Sequence, residues 1–187
     1  LKNVCYLGAS ASATIAFRLA NSIGGYCFLF NPILYIRNYY KSYIYKLLEH
    51  WSIDEESLYN YQESLISISL KKLEKVVIVN NATDFNHNIN QTFEFYKAFL
   101  THNDKSGFFT KSSLSDLIDL QIGNHDTEGH TLPNIQVVID FISEYIKNES
   151  SLNFFEFAKN SLNIGSKIDN VYNAKETIKL TDRIWNE

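Results

Sequence analysis

Residues 3–12 read Asn3-Val4-Cys5-Tyr6-Leu7-Gly8-Ala9-Ser10-Ala11-Ser12, and residues 13–21 continue as Ala13-Thr14-Ile15-Ala16-Phe17-Arg18-Leu19-Ala20-Asn21. Asn3 to Leu7 is short and β-prone, and it stops at Gly8. Small residues then make a turn. From Ala13 onward, Ile15, Ala16, Leu19 and Ala20 recur at helical spacing until Gly24-Gly25 ends the run. A strand that passes through small residues straight into a helix is the opening of a β-α-β unit. It sets the expectation of an α/β protein.

The segments downstream repeat that alternation. Tyr26 to Phe30 is apolar, too short for a helix, and closed by Asn31-Pro32, so it reads as a buried strand. Lys75 to Asn80 is the clearest strand of the chain, a continuous β-branched run. Leu114 to Ile122 reads as another strand, in spite of Asp116 and Asp119. Between strands, Ile89 to Leu100 reads as a helix. Pro133 opens a second helix, running to Tyr145 or Ile146, with Val137, Val138, Phe141, Ile142 and Tyr145 on its apolar side. Ile33 to Lys72 is Tyr-rich and of mixed charge, with a capping-box pattern at Ser52–Glu55, and reads as a helical insertion. The order predicts a doubly wound, mostly parallel sheet in three α/β/α layers with right-handed crossovers. Residues 1–147 form that body, with 33–72 as the insertion. Residues 148–187 are expected as a helical C-terminal appendage broken at Gly165.

Three junctions carry residues with chemistry. Ser10 lies on the first strand-to-helix turn, flanked at two residues' distance by Gly8 and Ser12. A nucleophilic serine needs such a tight, strained turn with small flanks, and the N–H of Ala11 then stands at a helix N-terminus, where an oxyanion can be bound. The same turn also fits a plain helix start with Ser10 or Ser12 as N-cap. Asp84 follows the Val76–Val79 strand, where carboxyl-end loops of a parallel sheet gather, although an Asx-turn would use the same residue. His130, in Gly129-His130-Thr131-Leu132-Pro133, sits before the last helix, and His125 competes with it as a general base. The order Ser, Asp, His along the chain, each at a junction of the required kind, makes the set more specific than any member.

On these residues the sequence resembles the α/β-hydrolase superfamily over about residues 3–147. The resemblance implies Ser10 as nucleophile, Asp84 as acid, His130 as base and Ala11 in the oxyanion hole. It also implies a helical cap at 33–72. Ser12 departs from the usual G-x-S-x-G pattern, and the strands that precede the serine in that family are not in this chain, so an upstream half of the same domain is expected. The sequence is also similar to bacterial proteins that modify surface polysaccharide, including capsule O-acetyltransferases. That similarity implies an ester or an acylated saccharide as substrate, with Tyr35 and Tyr39 as candidate substrate-binding residues. The chemistry expected is a serine esterase or O-acyltransferase without cofactor. The competing expectation is a catalytically degenerate binding or assembly module on the same fold.

Composition narrows the rest. A net charge of −4 offers nothing to nucleic acid or anionic lipid in bulk. No apolar run approaches the roughly 18 residues of a membrane span, and Leu1 opens into a strand-like run rather than a signal peptide, so a cytoplasmic protein is expected. The absence of Met points to Leu1 not being the natural start. Cys5 and Cys27 are expected as buried small hydrophobes. A phosphate or nucleotide binder is disfavoured, because the Gly8 turn lacks P-loop or dinucleotide spacing. His125, Asp126 and His130 match no strong zinc pattern, so no metal is expected.

Overall fold

The computed structural model describes residues 4–66, 73–97, 117–124, 130, 132–148 and 152–162. Among them, four strands lie side by side in chain order, all parallel: β1 (Cys5–Ala9), β2 (Gly25–Phe30), β3 (Leu73–Asn81) and β4 (Ile118–Gly123). The helices are α1 (Ala13–Ile23), α2 (Lys41–Trp51), α3 (Glu55–Ile66), α5 (Ile135–Lys147) and α6 (Phe154–Leu162). Between β3 and β4 runs α4, which opens at Phe85–His87, widens into a π-helical stretch over Asn88–Phe93 and continues helically through 94–97. The expectation of an α/β protein with a parallel sheet is borne out. No helix among the described residues is long and apolar enough to cross a membrane.

The apolar runs within β2 (Tyr26–Phe30) and β3 (Val76–Val79) follow from their being covered on both faces. Side chains alternate along a strand. Cys27, Leu29, Val76 and Ile78 therefore enter one cluster with Ala13, Ala16, Phe17 and Ala20 of α1 and Phe95 of α4. Their neighbours Phe28, Phe30, Val77 and Val79 enter another, with Val137, Val138, Phe141 and Tyr145 of α5 and Phe154 and Phe155 of α6. Edge-to-face contacts such as Phe28–Tyr145 and Phe141–Phe154 fill this second cluster. Asp119 fits inside β4 because its carboxylate accepts hydrogen bonds from the Tyr145 hydroxyl and the Gln121 amide, both at 2.7 Å.

Several boundaries differ from the sequence reading. β1 runs on through Gly8 to Ala9, because those residues pair in register with Leu29 and Phe30. Ser52 does not cap α3. It ends α2 in the left-handed region (φ 52°), and Asp54 is the residue whose carboxylate accepts the Ser57 N–H at 2.7 Å. Pro133 lies outside α5, whose N-cap is Asn134, accepting from the Gln136 N–H at 2.8 Å. The helix expected from Ile89 starts at Phe85. Its polar residues Asn88, Gln91 and Thr92 are buried and hydrogen-bonded. Cys5 is exposed on β1, against expectation, while Cys27 is buried. Packing continues past residue 147, since α6 buries Phe154 and Phe155 in the second cluster. Residues 163–187, the start of the Leu114–Ile122 run and the end of the helix at Leu100 lie outside the described residues.

Candidate active site

Parallel strands bring like ends together. Ala9, Phe30, Val79 and Gln121 stand abreast in the ladders, so the segments that follow β1, β3 and β4 leave from one edge of the sheet. Ser10, Asp84 and His130 all belong to those segments.

The turn at Ser10 is built by its neighbours. Ser10 holds φ 50°, a left-handed conformation costing roughly 1–2 kcal/mol in a residue with a Cβ. Three hydrogen bonds sustain it. The Ser12 hydroxyl accepts the Ala9 N–H at 2.9 Å and donates to the Ala9 carbonyl at 2.8 Å. The Ser10 carbonyl accepts the Ile33 N–H at 2.9 Å. Ser12, which departs from the glycine of the usual motif, thus staples the turn with its side chain. Gly8 is needed for a different reason. A Cβ there would stand 2.6 Å from the Ala13 Cα and 2.7 Å from the Ala16 Cβ, so only glycine lets α1 pack this close to β1. Ser10–Ser12 form a 3₁₀ turn leading into α1, and the Ala11 N–H is among the first of that helical run.

Asp84 is held by the loop after β3. Its N–H donates to the Asn81 carbonyl at 3.0 Å and its own carbonyl accepts the Asn88 N–H at 3.0 Å. A polar net secures that loop. Asn31 (φ 42°) accepts the Asn81 N–H at 2.7 Å, the Asn88 amide donates to the Asn81 carbonyl at 3.0 Å, and Ala82 bonds to the Gly123 carbonyl at 2.8 Å.

The side chains then converge. Ser10 Oγ lies 2.8 Å from His130 Nε2, and His130 Nδ1 lies 2.6 Å from Asp84 Oδ2. The Asp84 carboxylate is buried, and the His130 side chain keeps a quarter of its surface exposed. Burial pushes the Asp84 carboxyl up, but the hydrogen bonds from His130 and His87 outweigh it and hold it well below the usual carboxylate range. An ionised carboxylate only accepts hydrogen bonds, so His130 must carry its proton on Nδ1. That leaves the Nε2 lone pair facing the serine hydroxyl, the arrangement by which an imidazole removes a serine proton.

His87 is a member the sequence reading passed over. It is buried, its Nδ1 lies 2.7 Å from Asp84 Oδ1, and its ring stacks on that of His130 with centroids 3.9 Å apart. The available signal was the three-residue spacing Asp84–His87, which puts both side chains on one helical face once this segment turns helical. Tyr39 and Tyr40 lie with ring centroids 5.5 and 6.4 Å from that of His87, and Tyr43 joins them. Burial pushes the Tyr39 phenol up, with added repulsion from Tyr43, Tyr40 and Asp84. Tyr35 sits elsewhere. It packs against the first core cluster, its backbone is clamped by the Gln91 amide, and its hydroxyl points to the Glu94 carbonyl at 3.5 Å. His125 and Asp126 lie outside the described residues. Asp84, His87 and His130 offer a carboxylate and two imidazoles within 4.8 Å of one another, a set of donors able to take a divalent cation. Both Nδ1 positions are already engaged with Asp84. No family model, curated protein or solved structure matches this chain.

Proposed function

We propose that the protein is a serine-dependent acyl-transfer enzyme of α/β-hydrolase type, acting on an ester. The observation that carries this reading is the continuous relay from Ser10 through His130 to Asp84, with Ser10 in a positive-φ turn at the start of a helix. Ser10 Oγ attacks the ester carbonyl carbon as its proton passes to His130 Nε2. The oxyanion is received by the Ala11 N–H and a second donor expected from an upstream segment. Collapse of the tetrahedral intermediate breaks the ester C–O bond, and His130 returns the proton to the leaving alcohol. Water or an acceptor hydroxyl then attacks the acyl carbon, giving its proton to His130, and His130 passes that proton to Ser10 Oγ as the acyl–Oγ bond breaks.

Other features support the hydrolase reading. The serine turn, the acid loop, the histidine and the closing helix follow in that family's order along adjacent parallel strands. α2 and α3 are inserted between β2 and β3, where a cap belongs, and Tyr39, in the segment leading to α2, reaches the ring of His87. The outer edge of β1 has no partner strand among the described residues, and Leu7 of β1 and Ile15, Leu19 and Ile23 of α1 are exposed. An unpaired edge beside exposed apolar side chains fits a sheet continued by an upstream half of the domain. The exposed rings of Tyr40 and Tyr43 suit an acylated saccharide, since aromatic faces stack on sugar rings.

Labelling with a fluorophosphonate tests the proposal. Covalent modification is expected at Ser10 and is expected to vanish in Ser10→Ala and His130→Ala variants that keep the native circular dichroism. A folded wild-type protein that takes up no label would overturn it.

A further inference from the structure

The serine, the base and the acid do not use every group at this site. Asp84 has two carboxylate oxygens, and His130 occupies only Oδ2. Oδ1 faces a second imidazole, His87, at 2.7 Å. Because Asp84 is ionised and accepts only, both rings present Nδ1–H to it. With one donor, the buried carboxylate could turn about its Cβ–Cγ bond and carry His130 with it. With a donor on each oxygen, that rotation breaks a charge-assisted hydrogen bond in either direction. The His87 ring also lies nearly parallel to that of His130, 19° apart in plane, and blocks tilting on that face.

His87 is itself well placed to hold others. It is 4% exposed, it sits in the first turn of α4, and the rings of Tyr39 and Tyr40 stand beside it. Its Nε2 is buried with no partner among the described residues. A buried acceptor without a donor is a cost that a phenylalanine ring at this position would not carry. Packing alone therefore does not call for an imidazole here, whereas the Nδ1–H to Asp84 does.

We propose that His87 is a positioning residue: it locks the Asp84 carboxylate from its second oxygen and backs the His130 ring, so that His130 keeps the Nδ1–H tautomer and its Nε2 stays aimed at Ser10. The catalytic consequence rests on the serine-enzyme reading above. The tautomer control can be read without it.

Two substitutions separate the contributions of His87. His87→Asn keeps an N–H where the imidazole Nδ1 stood and drops the stacked ring. His87→Phe keeps a ring and drops the donor. In the full chain, fluorophosphonate labelling of Ser10 is expected to slow on the order of 10²-fold in His87→Phe, as for a misaligned reacting group. Labelling is expected to recover most of that loss in His87→Asn. With an activated ester, the loss is expected in kcat rather than KM. Imidazole ¹H–¹⁵N spectra supply the second readout. His130 is expected as the Nδ1–H tautomer in wild type and His87→Asn, and as a mixture in His87→Phe. If the phenylalanine is not accommodated, His87→Leu, which also lacks the donor, takes its place. A wild type that labels, beside an equally fast His87→Phe, overturns the role in catalysis and leaves the serine reading intact. A His130 tautomer indifferent to the donor at 87 overturns the positioning role whether or not Ser10 labels.

Discussion

The acid of this site is the residue whose energetics are most exposed to test. Asp84 is buried, yet two imidazole N–H groups keep its carboxyl well below the ordinary range. A carboxyl depressed in the folded state contributes stability that is fully present above its unfolded pKa, about 3.9, and that is lost as pH falls through the folded one. Wild type should therefore exceed Asp84→Asn in urea midpoint near neutral pH, and the gap should close progressively below about pH 4. A gap that does not narrow in acid would mean the carboxylate is not held by these bonds. The same substitution should lower turnover by roughly 10⁴-fold, because an amide can donate to Nδ1 and favour the wrong tautomer of His130. The clustering of Asp84, His87 and His130 also invites a metal test. With both Nδ1 positions engaged by Asp84, labelling of Ser10 is expected to survive exhaustive EDTA treatment, and a metal-restorable loss would favour a cation at these three residues.

At the scale of elements, the site depends on how closely α1 lies against β1. That distance is set by Gly8 facing Ala13 and Ala16. Gly8→Ala should push the helix off the strand, at about 1–3 kcal/mol for overpacking. Because the turn carrying Ser10 joins the two elements, the variant should also label more slowly, a result read by thermal melts and labelling together. Unaltered labelling would mean the turn absorbs the shift. The glycine and the turn were legible in the sequence because a β-prone run, small residues and helical spacing follow one another there, although the turn alone did not separate a nucleophile from an N-cap. The opening of α4 was not. Asp84 to Asn88 carries the residues of a polar loop, and only burial against Asn80 and Asn81 turns Asn88 and Thr92 into inward-facing donors and acceptors. Missing that turn meant missing His87.

For the molecule as a whole, the question is where the body ends. A helical appendage is expected after residue 147, yet Phe154 meets Phe30 and Phe141 edge-to-face and is fully buried, and Phe155 lies where a Cβ on Gly123 would stand. The Phe154 backbone N–H is also taken by the Gln121 side chain at 2.6 Å. Phe154→Ala should therefore destabilise the whole fold by about 3–5 kcal/mol, in the range of other buried phenylalanines. It should do so in a single cooperative transition. A mild effect, or early melting of α6 alone, would restore the appendage. The other margin is β1, whose outer edge has no partner strand among the described residues and whose Leu7 is exposed.

Local chemistry determined what could be read from the sequence alone. Runs of β-branched and aromatic residues define strands, helical spacing and glycines bound α1, and the types and order of Ser10, Asp84 and His130 mark one line of chemistry. Only the tertiary structure decided what crosses the sheet. It decided that Ser10 and His130, 120 residues apart, meet at 2.8 Å. It turned Tyr35 to the core and Tyr39 to His87, and it set a second imidazole against the free side of Asp84. The reason is physical: strand and helix periods are written in neighbouring residues, whereas the partner of a buried polar atom depends on which distant segments the parallel ladders bring to the same edge.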